Sequence, residues 1–131
     1  MFQSIRAPIA TWFRVCLTIA ALFNFCGTLS FMPPLYNSVA PSLGLPTQIS
    51  PFGFWVLATW ILIFGIAYAW LALNPQPQTL FVAVAAACKI AIAIFFFIFW
   101  FTDDLPIIAL LIGSGDLFLG ITFVVWLLQT R

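Results

Sequence analysis

The sequence predicts an all-α integral membrane protein, a four-helix transmembrane bundle, and three observations predict it. Of 131 residues, 65% are hydrophobic and 5% are charged, where soluble domains carry about 25% charged residues. Mean hydropathy is +1.21. The apolar residues gather into four stretches, each near the roughly 20 residues a helix needs to cross about 30 Å of hydrocarbon. Backbone groups in lipid must bond within their own segment, which selects helices. A run such as residues 90–101 shows none of the polar–apolar alternation of a membrane barrel strand. The same composition excludes a water-soluble monomer and a disordered chain, which need polar surface. With 4 cations, 3 acids and no His, no basic stripe exists to neutralise phosphates, so no nucleic-acid partner is expected.

The spans fall at about 9–32, 52–73, 79–101 and 107–128, one transmembrane domain in all. The first competes with a cleavable leader. Arg14 interrupts the start of its apolar run and no Ala-x-Ala site follows, so it reads as a retained span. Pro33 and Pro34 end it, because neither has an N–H for a helical ladder. From there to Pro51 the chain holds Pro41, Gly44 and Pro46 and reads as a loop of about 19 residues. Asn74-Pro75-Gln76-Pro77 reads as the turn between spans two and three. Between spans three and four, Asp103 or Asp104 is placed to cap the fourth helix, with Pro106 in its first turn.

An even number of spans puts both termini on one side, with Arg6, Arg14 and Arg131 near them and Asp103 and Asp104 opposite. The positive-inside rule then places both termini in the cytoplasm. Cys16, Cys26 and Cys88 all lie inside spans without ligand spacing and read as small buried hydrophobes, so no metal is expected. Trp12, Trp55, Trp70, Trp100 and Trp126 sit towards span ends, as an interfacial aromatic belt predicts, and only Trp60 lies deeper.

Chemistry, if the chain has any, must be carried by polar groups inside the bilayer, where a charge costs about 2.5–3.5 kcal/mol. Lys89 and Asp116 fall near the middle of spans three and four, which run antiparallel, so their depths match. Small residues at helical spacing from them (Ala85, Ala86 and Ala93; Gly113 and Gly120) give those faces the capacity for close packing. Lys89 and Asp116 are therefore expected to point inward and pair. On span one, Arg14 and Asn24, about three turns apart, are assigned to one face with Leu17 and Ala21. On span two, Tyr68 has Gly65 and Ala72 on its face. Arg14, Tyr68, Lys89 and Asp116 are expected to form one inner cluster, with Asn24 above it. Two accounts of that cluster stay open: structural glue, or a polar pocket for a ligand, a quinone headgroup or a proton. No nucleophile with its base, phosphate loop or metal site is present.

Arg14 followed by Phe23-Asn24 and Gly27, the Leu43 to Pro46 element, Gly65 to Tyr68 with the Asn74-Pro75 turn, mid-span Lys89 and the Gly115-Asp116 pair resemble the DoxX-like small four-helix bacterial membrane proteins, over most of the chain. The resemblance implies a four-helix membrane fold in the bacterial cytoplasmic (inner) membrane and, for some relatives, a role as small subunits of membrane oxidoreductases acting on thiosulfate and quinone. Three functions follow in order of expectation. The first is a non-catalytic accessory protein or subunit of a larger membrane complex, with the bilayer and other membrane subunits as partners. The second is a quinone-linked oxidoreductase subunit. The third is a small transporter or proton pathway, which ranks last because no span is broken by a mid-span Pro. A bound quinone, lipid or pigment is compatible with the composition, and the sequence names none of them.

Overall fold

A computed structural model describes residues 9–74 and 76–130. Among them the chain forms five helices: α1 (Thr11–Phe31), α2 (Pro33–Leu43), α3 (Pro51–Leu73), α4 (Thr79–Phe101) and α5 (Ile107–Gln129). All but α2 are long and apolar enough to cross a membrane. The protein is an all-α membrane helical bundle.

Side-chain contacts set the topology. Arg14 at the start of α1 bonds Ala72 at the end of α3, Phe13 stacks on Trp126 at the end of α5, and Tyr68 of α3 meets Phe81 at the start of α4. The four spans therefore alternate in direction. The start of α1 and the end of α5 share one end of the bundle, called here the terminal end. The α1–α2, α2–α3 and α4–α5 connections lie at the far end.

The spans associate as two antiparallel pairs, α1 with α3 and α4 with α5, and the pairs touch each other much less closely. Glycine explains the tight seams. A Cβ on Gly113 would lie 2.9 Å from Phe96 Cβ, and one on Gly120 2.9 Å from Ile90 Cγ1. On the other seam a Cβ on Gly65 would meet the Phe25 ring at 3.0 Å and Asn24 Cβ at 3.1 Å. Membrane helices associate through such close packing, since lipid tails are as apolar as the side chains they would displace.

Between the pairs lies an aromatic core confined to the terminal half. Phe13 stacks on Trp126 with centroids 4.6 Å apart and meets Phe123 edge to face, while Tyr68 packs against Phe123 and Phe81. Trp126, Tyr68, Phe13, Phe123, Leu17 and Val82 are the largest fully buried side chains, and none lies in the far half.

Four sequence expectations are corrected. Cys26 and Cys88 are not buried hydrophobes: both lie on exposed faces of their helices, and Cys16 is only half-buried. The stretch after Met32 is not a loop: Pro33 and Pro34 end α1 and also open α2, because the first helical positions need no N–H donor. Gly44 ends α2 in the left-handed region at φ 71°, and the Tyr36 hydroxyl donates to Pro46 O at 2.7 Å, folding the remaining loop back. Neither Asp103 nor Asp104 caps α5, whose start at Pro106 has no side-chain cap. Asp104 accepts instead from the Thr102 hydroxyl at 2.8 Å. Trp126 is not a belt residue; it is 2% exposed, held inside by the stack on Phe13. Trp12 and Trp70 do face outward at the terminal end.

Candidate functional site

The mid-bundle polar cluster is built by α1, α3, α4 and α5. Lys89 Nζ lies 3.1 Å from Asp116 Oδ1, and their helices can approach because Ala86, Ala93, Gly113 and Gly120 line the seam. Lys89 also donates to Asn24 Oδ1 at 3.3 Å. Asn24 in turn donates its Nδ2 to Ile61 O at 3.1 Å, one turn before Gly65, whose missing side chain leaves room for that reach. One ammonium thus joins α4 to α5 through an ion pair and to α1 through an amide, and the same amide holds α3.

Two rings flank the ammonium. Phe23 and Tyr68 each have their centroid 5.4 Å from Lys89 Nζ, within cation–π range. Tyr68 therefore belongs to the cluster through its ring face. Phe23 is a member that sequence reasoning missed. Its signal is Gly115: a Cβ there would sit 2.8 Å from the Phe23 ring, so the glycine before Asp116 makes room for the ring that covers Lys89.

Arg14 lies elsewhere. Ten residues make about 2.8 turns, which turns Arg14 roughly 80° away from Asn24 around α1. Its Nε donates to Ala72 O at 2.9 Å, a carbonyl in the last turn of α3 that has no helical partner, and a cation suits that end of a helix dipole.

Chemically the cluster is a neutral pair with its ammonium well occupied: one carboxylate, one amide and two ring faces. Asp116 is less enclosed. Its Oδ2 accepts no hydrogen bond among the described residues, and its side chain is 12% exposed against 6% for Lys89. Two shallow hollows on the surface, one lined by Phe97 to Thr102 and one by Phe52, Trp55, Val56, Thr59 and Trp60, do not reach the cluster. Among the described residues no group of His, Cys, Asp or Glu has a metal-holding arrangement. No family model, curated protein or solved structure matches the chain.

Proposed function

We propose that this membrane protein is a non-catalytic accessory subunit of a larger membrane complex, of the kind the DoxX-like resemblance implies, with both termini in the bacterial cytoplasm. The inner charges support a structural part for the cluster, because Lys89 spends its donors on Asp116 and Asn24 and thereby fastens the two helix pairs. The observation that carries the reading is Trp60. It is the tenth of 23 residues in α3, near mid-membrane, and it is 64% exposed. Indole favours the interface, where its N–H finds an acceptor. Hydrocarbon offers none, and a neighbouring span does. Trp60 stands beside Trp55, Val56 and Thr59 on a shallow hollow of the outer α3 face, a surface able to seat another protein's helix.

The test is site-specific photo-crosslinking in native membranes, with a photoreactive phenylalanine analogue at position 60 and, as a control, at Ile121 on the outer face of α5. The reading expects one adduct with a different membrane protein at position 60 and far less at position 121. Lipid adducts alone, or a product at twice the chain's own mass, would overturn it.

A further inference from the structure

We propose that Arg14 is a binding site for the phosphate of an anionic phospholipid at the terminal end of the bundle. Accounting for the acidic side chains leads there. The sequence holds three acidic side chains, Asp103, Asp104 and Asp116. Asp116 is committed to Lys89. Asp103 and Asp104 follow α4 at the far end, and its 23 residues, about 34 Å long at roughly 1.5 Å per residue, hold them most of a membrane's thickness away from Arg14. No acidic side chain of this protein can reach Arg14.

The guanidinium is nonetheless held in place. It is half-buried, and its Nε–H is fixed on Ala72 O. That single bond orients the planar fork and leaves Nη1 and Nη2 without an acceptor among the described residues. A half-buried cation with two aligned donor groups is suited to a bidentate oxyanion. Depth names the oxyanion. Arg14 is one turn from the start of α1, level with outward-facing Trp12 and Trp70, and tryptophan belts mark the headgroup layer. At that depth the abundant anion is lipid phosphate. A headgroup with net negative charge satisfies Arg14 outright, whereas phosphatidylcholine brings its own cation.

The experiment is native mass spectrometry of the full chain in mild detergent with equimolar phosphatidylglycerol and phosphatidylcholine. Wild type is expected to retain phosphatidylglycerol in about tenfold excess, and Arg14→Gln to retain the two about equally. Arg14→Lys, which keeps the charge and loses the fixed fork, is expected to fall between them. Equal retention of both lipids by wild type would overturn the proposal, and that arm needs no variant to fold. An unchanged excess in Arg14→Gln would also overturn it. Inorganic phosphate is the control for a free-anion site: it is expected not to displace bound phosphatidylglycerol at millimolar concentration, and displacement would count against a lipid site.

Discussion

The two halves of the bundle use different materials for the same task of joining one helix pair to the other. In the terminal half Phe13, Tyr68, Phe123 and Trp126 interlock across the gap, every one of them at most 2% exposed. In the far half the buried positions of the spans are small or polar: Asn24 and Thr28 on α1, Ala58 on α3, Ala93 on α4, Ala109 and Gly113 on α5. The Lys89–Asp116–Asn24 cluster stands at the boundary. Dispersion over large rings needs only shape and tolerates small errors, while an ion pair in a low-dielectric medium needs every partner present. The difference teaches where the fold is brittle. The terminal half degrades by degrees, and the boundary fails when one atom is lost.

The largest expected effect is therefore at the boundary. Asp116→Asn keeps the side chain's shape and removes its charge, leaving Lys89 a buried cation with amide neighbours. Breaking a buried pair in this way costs about 3–5 kcal/mol. Thermal unfolding in detergent should show a large loss of stability, with reduced insertion yield. The double change Lys89→Met with Asp116→Leu should recover most of it, since an apolar replacement leaves no stranded charge. A double variant as unstable as Asp116→Asn would mean that the cluster contributes something other than mutual neutralisation.

A second measurement compares the halves directly. Trp126→Ala removes a ring stacked on Phe13 and leaves a cavity; the penalty is about 3–5 kcal/mol in soluble cores. In a bilayer the transfer part of that penalty shrinks, because lipid can take the place of the lost ring. About 2 kcal/mol is expected here. Phe97→Ala in the far half, where the ring is only half-buried, should cost well under half as much. Equal losses would show that the far half is packed as firmly as the terminal half.

Much of this was legible in the sequence, and the limits have physical causes. Long apolar runs bounded by Pro and Asp fix spans to within two residues, because bilayer thickness is an external ruler. The depths of Lys89 and Asp116 were readable from the same ruler. What periodicity could not supply was azimuth and partner. Arg14 and Asn24 looked aligned, yet the 80° remainder over ten residues sends Arg14 to a backbone carbonyl of α3. Trp126 looked like a belt residue because position along a helix says nothing about which face carries it. Pro33-Pro34 signals a stop, although the same pair is an acceptable start. Ile61 O and Ala72 O carry no side-chain signature, and only Gly65 hinted that a neighbour approaches there.

Glycine substitutions sharpen the comparison within a pair. Gly120→Ala would bring a Cβ 2.9 Å from Ile90 Cγ1 and 3.4 Å from Lys89 Cβ. Overpacking of this kind costs about 1–3 kcal/mol, towards the low end here because the Ile90 side chain can shift. Gly27→Ala meets only Ile61 Cγ2 at 3.5 Å, an ordinary contact. Thermal unfolding should rank Gly120→Ala clearly below wild type and leave Gly27→Ala close to it.

The smallest effect belongs to the far-end surface, and it is the control that gives the largest effect its meaning. Asp103→Asn makes the same chemical change as Asp116→Asn, a carboxylate to an amide. Asp103 is exposed and sits at φ 63°, a left-handed conformation that Asn adopts as readily as Asp. It takes part in no ion pair among the described residues, so the substitution strands no charge and strains no backbone. Its effect on stability in the same unfolding measurement should lie within about 0.5 kcal/mol, as for other surface changes. If the two Asn variants unfolded alike, the boundary would be no more brittle than the exposed far end, and the contrast between a packed half and a paired boundary would fall with it.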